Sequence, residues 1–247
     1  MTSDWQVLKS PPVILAIFQL KFSHCKDEAL GKMIANDRNI KLIYKKRHIN
    51  YHADINFPGT VVPGESSFKG NTKVESYTYT TEDDLRKLRI EKDSIVVVNE
   101  GPYLGWGNFK LEVMDCLNLL SQQLKECSVN RVSIRFINKF TFNSFEDPLD
   151  YFSQMISTES VSRYPLLKYS FRLNVVIPDT NIQAIINNAS EPNDEGKSDY
   201  YLDIDVLSHT LISFDLSLIS MQMENIREVK NNIFFDTVKQ KTLELCN

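Results

Sequence analysis

From Arg131 to Phe142 apolar and polar side chains exchange places residue by residue: Val132, Ile134 and Phe136 alternate with Arg131, Ser133 and Arg135. A period of two sends neighbouring side chains to opposite faces of a strand, so this segment predicts a half-buried strand with one oily face and one basic face. The register carries Asn138 inward with Phe140 and Phe142, while Ile137 interrupts the outward row of Arg131, Arg135, Lys139 and Thr141. A buried Asn without partners costs about 1–3 kcal/mol, so Asn138 is expected to bond a neighbouring backbone or to mark a bulge.

The period is different just upstream. Ile95 to Val98 is a β-branched run followed by Gly101, Pro102, Gly105 and Gly107, the pattern of a strand that ends in a turn. Phe109, Val113, Cys116, Leu117, Leu120 and Leu124 then recur at steps of three and four, which places them on one face of a helix with Asn108 as its N-cap. The same two rules divide the rest of the chain. Val13 to Phe22 reads as a strand, Asp27 to Asp37 as a short helix, and His48 to Phe57 and Lys73 to Thr81 as strands flanking the Gly, Pro and Ser-rich loop 58–71. Between them, Ile40, Leu42 and Tyr44 suit a strand, beside an exposed basic run at Lys45 to Arg47. Thr81 to Leu88 reads as a helical turn or hairpin element. In the second half Tyr169 to Ile177, Asn181 to Ala189 and Tyr200 to Leu207 are strands, the last two separated by a polar loop. A closing helix runs through Leu216, Ile219, Met223, Ile226, Val229 and Ile233, breaks near Phe235 to Thr237 and resumes to Leu245.

Strands joined by short turns favour antiparallel pairing, so the expected class is α+β: a mainly antiparallel sheet with helices packed on one face. Each half runs strands and then a helix, which suggests one globular unit over 1–247 built of two similar sub-halves, 1–145 and 160–247, joined by 146–159. No residue-level repeat accompanies that topology.

Composition narrows the partners more than the fold. With 42% hydrophobic and 24% charged residues in 247, the chain can bury a large core unaided. A net charge of −4 disfavours general affinity for nucleic acid, although a local basic stripe survives within an acidic whole. Cys25, Cys116, Cys127 and Cys246 share no metal-type spacing and read as buried or incidental thiols, free in a reducing compartment. The early apolar run has no basic segment ahead of it and is too short to span a bilayer, so a cytoplasmic location without membrane contact is expected.

Tyr103, Trp106 and Phe109 before a helix, followed by the strand Arg131-Val-Ser-Ile-Arg-Phe-Ile-Asn138, resemble a sporadically distributed family of bacterial proteins of similar length with no assigned activity. The resemblance extends to the strand Pro11 to Phe18 and to the segment Ile226 to Leu243, with Asn232, Phe234 and the Asp236-Thr237 step. This chain departs from it at Phe136, where the family more often has Tyr. Patchy distribution of that kind implies an accessory or regulatory role in a bacterial defence or toxin-neutralising locus.

No catalytic constellation stands out. Pro178-Asp179 with Glu195-Gly196-Lys197 imitates the spelling of a metal-dependent nuclease, but the Glu and Lys fall in a loop where that chemistry needs a strand. His48 and His52 could share a metal on a helix, yet alternation makes the segment a strand. Gly-Pro-Tyr-Leu-Gly-Trp-Gly, 101–107, has the spacing of neither a P-loop nor a dinucleotide fingerprint, so Tyr103 and Trp106 read first as caps on the core and second as a stacking platform. The basic row Arg131, Arg135 and Lys139, with Arg172 nearby, could bind phosphate or an acidic partner, or could pair across strands with Asp203 and Asp205. The expectation is therefore a non-enzymatic interaction or regulatory protein with a protein partner, compatible with a homodimer, using no cofactor and no metal. The competing expectations are a metal- or nucleotide-dependent, nuclease-like enzyme with an unfamiliar site made of Arg131, Arg135, Lys139, Asp203 and Asp205, and a nucleic-acid-binding module.

Overall fold

The computed structural model describes residues 5–25, 34, 37–55, 70–143, 148–153 and 167–247. In chain order these form β1 (Val13–His24), α1 (Arg38–Ile43), β2 (Lys46–Ile55), β3 (Gly70–Thr80), β4 (Arg86–Glu91), β5 (Ser94–Asn99), α2 (Trp106–Leu119), α3 (Ser121–Leu124) and β6 (Ser128–Phe142). The second half adds α4 (Pro148–Tyr151), β7 (Tyr169–Val176), β8 (Ile182–Pro192), β9 (Ser198–Ser213), α5 (Leu216–Thr237) and α6 (Gln240–Leu245).

All nine described strands lie in one sheet, in the order β2-β3-β4-β5-β1-β6-β9-β8-β7, and every pairing is antiparallel. The order explains the likeness of the two halves. In each, the chain passes from the first strand (β1 or β6) to the sheet edge, a meander steps inward until the last strand (β5 or β9) pairs with the first, and a helix follows. The two first strands then pair with each other, so the halves meet at the centre of a single sheet.

Alternation decides which side of the sheet becomes the core. On β6, Val132, Ile134 and Phe136 are buried, and so are Phe18 and Leu20 on β1 and Leu202, Ile204 and Val206 on β9. Register places these rows side by side, Phe18 opposite Ile134 and Ile134 opposite Val206. Their common face carries the helices: α2 buries Phe109, Val113, Cys116 and Leu117 there, and α5 buries Ile219, Met223, Ile226 and Phe234. An α+β sheet with helices on one face is thus what the chain forms. Asn138 sits in that face, its Nδ2 donating to the Leu202 carbonyl at 2.9 Å, beside a register irregularity where Val13 pairs with Asn138 but Leu15 pairs with Ile137.

Several local expectations change. The Ile40 to Tyr44 segment is helix through Ile43, because Asp37 caps it by accepting from the amides of Asn39 and Ile40. Asn108 is no N-cap: α2 begins at Trp106 behind Gly105, and Asn108 lies in the first turn with its Nδ2 donating to the Leu104 carbonyl at 2.7 Å. Asp215 does cap α5, accepting from the Leu218 amide, and the break between α5 and α6 falls at Val238 and Lys239. Most of the expected helix 27–37 lies outside the described residues, as does the loop 58–69.

Two of the four cysteines are not free. Cys25 and Cys127 form a disulfide across 102 residues of sequence, because register sets His24 opposite Ser128 and brings the flanking residues together. The reducing compartment inferred from four free thiols loses that support, while Cys116 and Cys246 are buried free thiols. The described part of the joining segment is no loose tether either. Phe152 is buried, stacks on Tyr200 at 3.9 Å, meets Phe140 edge-on at 5.1 Å and bridges to Val238. No helix among the described residues is long and apolar enough to cross a membrane.

Candidate functional site

The side chains singled out in the sequence separate onto the two faces of the sheet. Arg131, Arg135 and Lys139 leave β6 on the face away from the helices, beside Asp203 and Asp205 of β9, with Arg172 of β7 in the same field. Tyr103 and Trp106 lie on the helix side. The structure therefore joins the first six and keeps the two aromatics apart from them.

On the open face two of the four cations hold carboxylates, and the other two hold side-chain amides. Arg135 makes a bidentate pair with Asp203, Nε to Oδ1 at 2.8 Å and Nη2 to Oδ2 at 2.7 Å, and Asn187 donates to the same carboxylate at 2.9 Å. The hydrogen bond to Asp203 raises the Arg135 pKa further and holds the guanidinium charged. Lys139 pairs with Asp199 at 2.8 Å, and Asp199 also accepts from Thr141 and Asn193. Burial works against the Asp199 charge, but Lys139, Thr141 and Asn193 outweigh it and hold its carboxyl below the usual range. Arg131 donates to Gln19, and Arg172 to Asn174. Asp205 is pushed up by burial, with Arg135 opposing the shift. The nuclease-like spelling comes apart in space: Asp179 sits in the turn before β8, and Glu195 pairs with Lys197 in the turn after it. A strand of that length separates the two turns by roughly 30 Å.

On the helix side the arrangement is different. The turn after β5 is tied by Asn99, whose Oδ1 accepts from the Gly101 amide while its Nδ2 donates to Glu112 at 3.0 Å. Gly105, at φ +95°, then swings the chain into α2, a conformation an L side chain rarely adopts. This turn sets the Tyr103 ring edge-on to Phe136 at 5.5 Å, and Phe109 meets the same ring at 5.6 Å. Trp106 reaches α5, its Nε1 donating to Glu224 at 3.0 Å. Glu224 also accepts from Lys110 at 2.7 Å and Arg227 at 3.1 Å, and these bonds outweigh burial to keep its carboxyl low. Arg227 lies 5.2 Å over the Trp106 ring.

One turn further along α5 stands Lys230. Its amine lies 4.6 Å over the Phe136 ring and bonds no carboxylate or carbonyl among the described residues. Burial, and then the Arg227 charge, lower it from the ordinary lysine value to about 7. The space before it is a cavity of about 650 Å³, floored by β6 and walled by Tyr103, Trp106, α5 and the lead-in Trp5 to Leu8, with the buried amides of Asn138 and Asn231 in its lining. Behind Tyr103 a smaller cavity of about 320 Å³ holds Tyr44, Glu112 and Cys116. Burial pushes the Glu112 carboxyl and the Tyr44 phenol up, and the Cys116 thiol to about 12. Arg86 Nε stands 3.4 Å from Glu112 Oε1 without forming a hydrogen bond.

Sequence reading missed Lys230, Arg227 and Glu224. A signal was there: Lys230 lies four residues after Ile226 and four before Phe234, inside the apolar stripe of α5, where an unpaired cation is costly. Among the described residues no group of three or more His, Cys, Asp or Glu could hold a metal ion. Comparison with family models, with curated proteins and with solved structures finds no match to this chain.

Proposed function

We propose that the protein is a binding module that takes a small planar or acceptor-bearing molecule into the helix-side cavity, and that it regulates a partner rather than turning a substrate over. The observation that carries this reading is the unpaired Lys230 amine facing a roomy, aromatic-walled cavity. Ligand pockets of roughly 300–1,000 Å³ are commonly lined by apolar and aromatic groups, with a few polar ones to fix orientation, and Lys230, Asn138 and Asn231 fill that second part. The open face supports recognition less well, because its cations already hold Asp199 and Asp203. A cytoplasmic setting within a defence or toxin-neutralising locus is proposed with it, on the resemblance stated above alone.

The chain carries its own reporter. It has two tryptophans, Trp5 and Trp106, and both line this cavity. A panel of small carboxylates, keto acids and aromatic aldehydes is titrated while tryptophan emission is followed. Saturable change is expected for at least one compound, with thermal stabilisation that grows as ligand exceeds Kd, about 2.7 kcal/mol at a hundredfold excess. A panel that leaves both emission and melting temperature unmoved overturns the reading.

A further inference from the structure

We propose that the helix-side cavity captures an aldehyde- or ketone-bearing metabolite covalently, as an imine on Lys230. This deepens the binding reading above and rests on it. The geometry comes first. Lys230 presents a primary amine to a half-open cavity, and the described groups around it leave the amine free to act as a nucleophile. Of the two acids that α5 sends to the cavity lining, Glu224 is taken up by Trp106, Lys110 and Arg227, and Glu228 is exposed. Phe136 offers the amine only a ring face. An ammonium there has lost water without gaining a counter-ion, so the neutral amine is favoured, as in lysines that form Schiff bases.

The charged and titratable groups facing the amine come from two directions. On its own helix, α5 supplies Glu224, Arg227 and Glu228, and the turn before α2 supplies Tyr103. Strand β6 sets the Phe136 ring under the amine and Asn138 in the lining, and the lead-in lining residues 5–8 and 11–13 carry no titratable side chain. Arg227 is the cation among them and pushes the amine toward its neutral form. Burial keeps the Tyr103 phenol protonated, with Arg227 opposing. At pH 7 about half of Lys230 is then unprotonated, against fewer than about one in a thousand for a lysine of ordinary value.

The chemistry balances without an oxidant or reductant. The Lys230 nitrogen lone pair attacks the carbonyl carbon, the carbonyl oxygen takes up a proton, and a nitrogen proton is lost to give a carbinolamine. Water then leaves as the C=N bond forms. The aromatic walls, Trp5, Tyr103 and Trp106 among them, offer flat faces to such a planar product.

The test uses the full chain with glyoxylate as the probe, at pH 7 and in the presence of cyanoborohydride, which fixes any imine as a stable secondary amine. Peptide mapping by mass spectrometry then ranks the lysines by rate. Lys230 is expected to be modified at least about tenfold faster than any other lysine, with a rate that rises with pH to a midpoint near 7. Lys230→Arg and Lys230→Met should lose that adduct alone and leave the slower sites unchanged. The wild-type map needs no variant, so a variant that fails to fold does not blunt the test. Modification spread evenly over the lysines, or a Lys230 rate that climbs only above pH 9, overturns the proposal. If panel compounds still change tryptophan emission saturably while Lys230 resists glyoxylate, covalent capture falls and the binding reading stands. If neither occurs, both fall.

Discussion

Arg135 and Lys230 are cations on opposite faces of the same strand neighbourhood, and their surroundings could hardly differ more. Arg135 leaves β6 on the open face and finds a carboxylate in bidentate register, itself steadied by Asn187. One residue on, Phe136 turns inward, and the cation above its ring finds no acceptor among the described residues. Coulomb attraction in a half-exposed pair is modest, because holding two side chains in one geometry costs entropy, yet the fold uses it. On the helix side, Glu224 of α5 is spent on Trp106, Lys110 and Arg227. Saturated charge marks a surface that holds strands in register. Unsatisfied charge in a cavity marks a place where something is expected to arrive.

The largest effect should come from removing the plane that separates the two regions. Phe136 is buried and contacts Tyr103, Phe109 and the Lys230 amine, so Phe136→Ala is expected to cost about 3–5 kcal/mol in urea denaturation. It should also abolish the cavity response of the tryptophans. A loss below about 1 kcal/mol would show that the cavity floor does not bear on the core as described.

Next comes the pH dependence of Lys230. Its folded value lies near 7, below the roughly 10.4 of an unfolded lysine. Between these the unfolded chain holds a proton that the folded chain does not, so raising the pH favours folding, with a slope approaching about 1.4 kcal/mol per pH unit. Below pH 7 both states are protonated and the contribution is flat. Lys230→Met should therefore be more stable than wild type at pH 7, with the gap closing as pH rises toward 9.5. Subtracting the two profiles cancels every titration the two proteins share. A gap that does not change with pH would contradict the desolvated amine.

How much of this was legible depends on period. The rows of β6 and β9 and the stripes of α2 and α5 follow from spacing alone, since each keeps one period over its whole length. Asp203 as a cross-strand partner of the basic row was also legible, because alternation fixes which face each residue takes. The strand order was not: nothing local says that β1 pairs with β6, so the Cys25 to Cys127 bridge, which depends on that pairing, was invisible. Lys230 was hidden for another reason. A lysine in an amphipathic helix is ordinarily solvated, and only its exact four-residue spacing between Ile226 and Phe234 marks it as inward. Asn108 misled because its side chain does bond the helix start, but as a donor to Leu104 from inside the first turn.

A smaller effect tests the turn that shapes the cavity without touching the open face. An alanine Cβ at Gly105 would meet nothing within 4 Å, so the cost of Gly105→Ala is conformational, about 1–2 kcal/mol for a residue held at positive φ. Tryptophan emission should change while a double-mutant cycle between Arg135 and Asp203 keeps its coupling. That coupling should itself be about 1 kcal/mol, since the Arg135 side chain is 42% exposed and the Asp203 side chain 11%.

Arg172 gives the smallest expected change and the sharpest discrimination between the two regions. It lies on the edge strand β7, is exposed, and its one described hydrogen bond is a long 3.4 Å contact with Asn174 two residues along. Substitution to Ala should shift stability by no more than about 0.5 kcal/mol, as at most surface positions. If the open face is only a brace for strand register, Arg172→Ala leaves binding of every panel compound intact. If the mutation weakens binding while stability holds, then the open face takes part in recognition after all, and the division of labour drawn between Arg135 and Lys230 is wrong. The two outcomes are separable because β7 reaches the helix-side cavity through none of that cavity's lining residues.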